Sequence, residues 1–580
     1  MYNISKEKEI KMWKLKEHNK EKEQVLKKDG FHPFLARLLS QKEIGIEKIP
    51  DFLCTEYKNI SHPYTLNDLE KATRLFVNHA LNKDTVAVIG DYDADGIISS
   101  TMVYEVCRHL GLTCKVFLPS RIDHGYGLNE KTIQAFKEKV CTPPDLLIVT
   151  DCGTTNKKEI EELKNFGIKS IIIIDHHLPG KEEDISTNAD ALINWHFSKC
   201  AEMCACGEVY QFIRGIRLLT KKIDPIEYLS YAAIGTIADS SPIIGDNRII
   251  VKNGLSTYSL SHVCASGLNA LINAKINYSS TITQTDIAFR IAPMINAAGR
   301  IETPDIVFRL LTEYDMTIAK DLAEKVARLN DERKDLQSFI EQEAFKKAVC
   351  LKDKDGIIIY DKNWHVGVVG IIASRLVDEF RKPVLVIGYL NGVWKGSGRS
   401  INGVNIREVL DRCDYMFEKY GGHAMAVGVT LKEEYLEQAS EIFHKACTEH
   451  MNGLDDNVNS TRTYDAILTM NAISEEMAQL LNDHLSPYCN KNNSEPIFRL
   501  KDVVITNAQL KEGKGWRLIT FNIFKGQDYL PIAFKMFSPK FGEEIEGERV
   551  DVYFSFPQHW DNSKRFEQFD LTVVDIVKRS

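Results

Sequence analysis

The stretch "VAVIGDYDADGII", Val86 to Ile98, sets three aspartates two apart, at Asp91, Asp93 and Asp95, between two apolar runs. The first run, "TVAVIG" (85–90), is short, rich in β-branched residues and closed by glycine, which reads as a buried strand. The second opens "IISSTMVYEVCRHLGL", a helical run. Strand, acidic turn, helix is a repeating unit of a parallel α/β sheet. Three further runs repeat the strand pattern: "CKVFLPS" (114–120), "DLLIVT" (145–150) and "KSIIIID" (169–175). "KKEIEELKNFGI" between the last two places Ile160, Leu163 and Phe166 on one helical face. Fully apolar strands separated by helices predict a sheet covered on both faces.

The polar residues fall where such a sheet binds ligands, beyond the carboxyl ends of its strands. Asp91, Asp93 and Asp95 follow the first run, Asp151 follows 145–150 in "VTDCG", and Asp175, His176 and His177 follow 169–174 as "DHH". Asp239 follows an apolar helical run in "YAAIGTIADSSP". One aspartate after a strand is ordinarily a turn or cap residue. Several strand ends with the same chemistry call for another explanation, because crowded carboxylates are costly unless cations neutralise them. The acids outnumber the needs of one ion, so a site for two is expected. Oxygen donors suit Mg2+ or Mn2+, and the imidazole favours Mn2+.

The rest of the 580 residues supports several domains, with 44% hydrophobic and 27% charged residues. A net charge of −8 excludes a uniformly basic nucleic-acid coat but not a local basic groove. Thirteen cysteines without a regular framework suggest free thiols in a cytoplasmic protein. The mixed-charge N-terminus, "MYNISKEKEIKMWKLKEHNKEKEQ", lacks the apolar run of a signal peptide, and no stretch is apolar enough to span a membrane. Residues 1–80 read as a helical region, 81–304 as the acid-bearing α/β domain, and 305–355, free of Gly and Pro, as a long connecting helix. A second α/β unit, 356–450, ends in the glycine-rich "GVWKGSGRSINGV" and "YGGHAMAVGV". A polar linker, 450–463, precedes five strand-like runs (496–506, 516–524, 529–537, 549–556, 566–577), which suit a small OB-fold barrel over 464–580.

"GDYDADG", "TDCG", "DHH" and "GTIAD", in this order, resemble the DHH phosphoesterase superfamily. "NWHVGVVGIIASRLVDEFRKPVLVI", "KGSGRSI" and "GGHAMAVG" resemble its DHHA1 domain, and "FRIAPMINAAGRI" resembles the region joining the two. With a terminal barrel, the order is similar to that of the RecJ family of bacterial exonucleases, over about residues 30 to 577. The resemblance implies a single-stranded-DNA-specific 5′→3′ exonuclease of DNA repair and recombination, which hydrolyses phosphodiesters with two Mn2+ or Mg2+ ions and releases 5′-nucleotides. It implies metal ligation by Asp93, Asp95, Asp151, His176 and Asp239, with Asp151 bridging the ions. His177 would contact the scissile phosphate, Asp175 would orient the imidazoles, and Asp91 would ligate metal or support those that do. Ser397 and Arg399 of "GSGRS", with Arg121, Arg300 and His423, would bind the 5′-phosphate and its nucleotide. Single-stranded DNA is the implied partner, alongside a helicase and a single-strand-binding protein.

Two other functions compete with this reading. A DHH phosphodiesterase for short oligonucleotides or cyclic dinucleotides usually lacks the terminal barrel, whose Trp516, Phe521, Phe524, Tyr553, Phe554 and Trp560 offer rings for base stacking, about half of them expected in the core. A non-catalytic replication scaffold on the same fold would have lost the acids, which are intact here. The barrel, with Lys511, Lys514, Arg517 and Lys525, reads as separable, so deleting 452–580 is expected to spare the chemistry. The chain departs from the family at Met294, where arginine is usual; Arg290 or Arg300 would replace that contact, and arginine restored at 294 is expected to be accommodated. Cys200, Cys204 and Cys206 beside His196 do not have standard zinc spacing and read as free thiols.

Overall fold

The structure is a computed structural model that describes residues 13–121, 123–125, 127–256, 265–276, 282–451, 462–489, 493–513, 516–526, 528–537, 542–557 and 570–579. It divides into two compact units. The larger holds Trp13–Gly299, Thr303–Ala327 and Arg462–Ser580; the smaller is built on Arg328–Thr461 with Arg300–Glu302.

In the larger unit a five-stranded, all-parallel sheet runs in the order Cys114–Phe117, Val86–Ile89, Leu146–Thr150, Ser170–Ile174, Ala191–Ile193. The two central strands, Val86–Ile89 and Leu146–Thr150, are buried throughout, as expected of a sheet covered on both faces. The chain leaves Val86–Ile89 toward one edge and returns to its other side at Leu146–Thr150. The strand order therefore reverses between these two, which is where such sheets form their binding crevice.

The C-terminal part is a closed five-stranded barrel. Its strands follow the order Phe498–Gly513, Trp516–Lys525, Asp528–Phe537, Asp570–Lys578, Arg549–Ser555, and the last pairs back to the first. The third and fifth strands in sequence pair in parallel and the other barrel pairs are antiparallel, consistent with an OB-fold. Its core is continuous with the first helices: Leu26, Leu35, Leu39, Ile49 and Phe52 pack in one cluster with Phe498, Phe521, Phe534 and Phe554. Phe521, Tyr553 and Phe554 are thus buried, with Trp13 stacked on Tyr553 at 4.2 Å, and only Phe524 of the described rings is half-buried. Trp560, Lys514, the Trp516 side chain and linker residues 452–461 lie outside the described residues, as do the first twelve.

The connecting helix is shorter than expected. A helix over Asp305–Leu311 stops, and Asp315 caps a new one, Met316–Val349, by accepting from the backbone N–H of Thr317 at 2.8 Å and Ile318 at 3.1 Å. In the smaller unit a mixed five-stranded sheet runs Phe417–His423, Ala426–Leu431, Val393–Arg399, Val384–Leu390, Ile357–Tyr360. Helices Val369–Phe380 and Ala439–Met451 pack in separate clusters against it. Among the described residues no helix is long and apolar enough to cross a membrane.

Candidate metal centre and end pocket

The acidic turn is held by its own backbone. Asp93 caps helix Ala94–His109, its Oδ1 accepting from the N–H of Asp95 at 3.0 Å and Gly96 at 3.2 Å. Gly96 is required there, because a Cβ would sit 2.5 Å from the Asp91 backbone. The Asp95 carboxylate accepts from the N–H of Ala205 at 2.8 Å and Cys206 at 2.9 Å, the first turn of helix Ala205–Thr220. It stands as the anion at that helix's positive end. Asp151 adopts φ 61°, in the left-handed region.

These residues gather into three overlapping groups whose ligand atoms lie within 4.8 Å of one another: Asp91, Asp93 and Asp151; Asp95, His176 and Asp239; Asp151, His176 and His177. His176 Nε2 stands 3.2 Å from Asp151 Oδ1, 3.7 Å from Asp95 Oδ2 and 4.0 Å from Asp239 Oδ1. Asp151 thus belongs both to a purely acidic group and to one containing His176. One oxygen each of Asp91 and Asp151 is buried without a hydrogen-bond partner.

The electrostatics follow from this crowding. Burial, then the Asp93 charge, pushes the Asp91 carboxyl up to about 7. Burial with Asp95 and Asp93 raises Asp151 well above its ordinary range, and burial with Asp95 raises Asp239 to about 6. Burial alone would lower His176, but Asp239 and Asp95 outweigh it and hold the imidazole at about 9. His177, opposed by burial and favoured by Asp175, reaches about 10. Orphaned oxygens, repelling carboxylates and an imidazole among them fit divalent cations with oxygen and nitrogen donors.

Asp175 is not in these groups. Its Oδ1 pairs with His177 Nδ1 at 2.7 Å and its Oδ2 accepts from Thr154 N–H at 2.8 Å. Its pKa lies below the usual range because the His177 charge and these hydrogen bonds outweigh burial. Three supports carry no local sequence signal. They are the amides of Ala205 and Cys206, Asn296, whose Oδ1 accepts from Ala94 N–H at 2.8 Å, and Asn194, which donates to the His177 carbonyl at 2.9 Å. Arg121 lies 5.7 Å from the ring of Tyr92, within the acidic turn. Cys204 and Cys206 are buried free thiols behind Asp95, the Cys206 Sγ reaching the Asp95 carbonyl at 3.4 Å.

The second group of expected residues lies in the smaller unit. Ser397 and Arg399 alternate along one strand, opposite Gly428 and Ala426, which pair in turn with Gly421 and His423. These rows therefore share a face of the sheet. A Cβ on Gly421 or Gly428 would meet nothing within 4 Å, so the floor beside Ser397 and Arg399 is open. At Gly370, near the start of helix Val369–Phe380, a Cβ would lie 3.3 Å from Ser397 Oγ and 3.4 Å from Arg399 Nη2. Arg300 donates to the Gly367 carbonyl at 3.2 Å, just before that helix. His423 is exposed. Two donors, a helix N-terminus and bare backbone are a combination suited to an anion.

Met294 is fully buried, so its side chain is not presented at the surface. Arg290 is exposed and pairs with Asp286 at 3.3 Å.

Residues 85–236 match the family model described as DHH family, N-terminal domain, and residues 353–449 match the DHHA1 domain. The chain is 31% identical over 474 residues to the single-stranded-DNA-specific exonuclease RecJ of Haemophilus influenzae, covering 78% of this chain and 80% of that protein. It is 30% identical over 479 residues to the protein of the same name in Escherichia coli, with the same coverage. RecJ of Thermus thermophilus, solved in complex with Mn2+, superimposes with a TM-score of 0.75 over 94% of this chain and 76% of that one, at 25% identity. A strand-end cluster of acids and imidazole on the DHH fold, followed by the DHHA1 sheet and a terminal barrel, makes this chain a member of the RecJ family.

Proposed function

We propose that this protein is a metal-dependent exonuclease that hydrolyses single-stranded DNA from its 5′ end, releasing 5′-nucleotides. The observation that carries the reading is the meeting of an acidic group and an acid–imidazole group at Asp151. Asp93, Asp95, Asp151, His176 and Asp239 would hold two Mn2+ or Mg2+ ions, with Asp91 completing the acidic side. Bound there, such ions supply charge neutralisation at a phosphoryl group and acidification of water.

The chain's own residues supply the rest. The Asp175 carboxylate keeps His177 protonated and fixes its ring, while the side chain stays 54% exposed. The imidazolium is therefore free to pair with a scissile phosphate. Arg121, beside Tyr92, adds a second cation on the same unit. In the smaller unit Ser397, Arg399 and the helix that starts at Val369 would bind a terminal phosphate, whose second charge distinguishes it from an internal one. His423 and Arg300 would flank its nucleotide.

Free thiols fit a cytoplasmic setting, and a duplex substrate would need a helicase and a single-strand-binding protein to expose its strands. The test is digestion of one oligonucleotide, single-stranded or annealed, with Mn2+, Mg2+ or EDTA. The reading predicts mononucleotides from the single strand alone, and none in EDTA. Equal attack on both forms, or turnover in EDTA, would refute it.

A further inference from the structure

An exposed aromatic ring stands in the turn that leads into the helix bracing the acidic turn. Residues Ile287–Ile291 form a π turn that runs directly into helix Ala292–Ile301. Along this rod Ile287, Ile291, Met294 and Ile295 are buried, Pro293 and Asn296 are half-buried, and Phe289 and Arg290 are exposed. The Phe289 side chain, 75% exposed, is the most exposed large hydrophobic among the described residues. A π turn departs from normal helical hydrogen bonding and is frequent at functional sites.

The rod is fixed to the acidic centre at two points. Asn296 binds the backbone of Ala94 in the first turn after Asp93, and helix Ile226–Ala238, which ends on Asp239, packs against the π turn. Phe289 precedes Asn296 by seven residues. At about 1.5 Å per residue that is about 10 Å along the rod, roughly three bases at the ~3.4 Å stacked spacing. Arg290 beside it is already paired with Asp286. An exposed ring in such a place is suited to the face of a base.

We propose that Phe289 is a stacking contact for the bases of a single strand entering the crevice. The inference rests on the exonuclease reading above. Every base has a π face, so the contact would tolerate any sequence. In a duplex each base face is already stacked, so the contact would also favour single strands. Phe289 would bind substrate and take no part in the chemistry.

The test is equilibrium binding of a fluorescent oligothymidylate in EDTA, where no turnover occurs, to wild type, Phe289→Ala, Phe289→Leu and Phe289→Trp. The proposal predicts that Ala weakens binding by about tenfold, that Leu stays weak although apolar, and that Trp restores it. An abasic strand of equal length should bind wild type and Phe289→Ala alike, and melting temperatures should not change. Binding by Phe289→Ala within twofold of wild type, or equal losses on both strands, would overturn the proposal, as would failure of wild type to bind the single strand. Wild type that binds with this pattern but does not hydrolyse would instead count against the exonuclease reading alone.

Discussion

Asp91 shows what crowding costs the candidate metal centre. It is buried in the acidic group, with one oxygen unpartnered, and its carboxyl is pushed up to about 7. A folded-state pKa above the unfolded value of about 3.9 means that the group's stabilising contribution is fully present below pH ~4 and lost as pH rises through about 7. Asp239, at about 6, has the same sign over a narrower window. His176 and His177, raised to about 9 and about 10, lose their contribution between pH ~6.5 and those values. Without divalent ions the site should therefore weaken the fold progressively from acid to alkaline pH. Asp91→Asn removes one part of this cost. In EDTA its melting temperature should rise relative to wild type by a few degrees between pH 5 and pH 8, and Mn2+ should close the gap. A gap that stays constant across this range would show that Asp91 does not titrate in the folded protein.

At the scale of elements, the apolar strands were legible in the sequence because each is buried on both faces and bounded by turn residues. Ala191–Ile193 was not, since three residues carry no period. The break before Met316 was hidden because Asp315 supplies a cap without glycine or proline. The acids at the strand ends were legible one by one. Their supports were not: Asp95 rests on amides 110 and 111 positions away, and Asn296 reaches Ala94 over 202. Met294 is the sharpest case. The family pattern suggested that arginine would be accommodated there, yet the side chain is fully buried in helix Ala292–Ile301. Met294→Arg should cost roughly 3–5 kcal/mol, the range for a buried charge without a partner, and lower the urea midpoint accordingly. An unchanged midpoint would mean that the guanidinium escapes to the surface along its own stem.

Across the whole larger unit, the barrel is bound to the catalytic domain by more than a linker. Arg248 is buried, and its guanidinium donates to the carbonyls of Phe52, His484, Leu485, Ser486 and Pro487 at 2.9–3.1 Å, without a carboxylate. Deleting 452–580 would strip four of those acceptors and uncover the core shared with Leu26 through Phe52. The truncated chain is therefore expected to misfold rather than keep its chemistry. Arg248→Ala should lower the melting temperature by several degrees while kcat of the folded enzyme stays within about twofold, which melting and initial rates together would check. The central claim is that carboxylates meeting at Asp151 drive hydrolysis from the 5′ end of a single strand. Its most direct test is digestion of one 5′-phosphorylated single strand, labelled at either end, with Mn2+, by wild type and by Asp151→Asn, a change that the left-handed turn at this position tolerates. Wild type should release the 5′ label as mononucleotide before the 3′ label, and Asp151→Asn, still folded by melting, should be slower by at least about a hundredfold. Release of the 3′ label first, or activity of Asp151→Asn within threefold of wild type, would contradict the account.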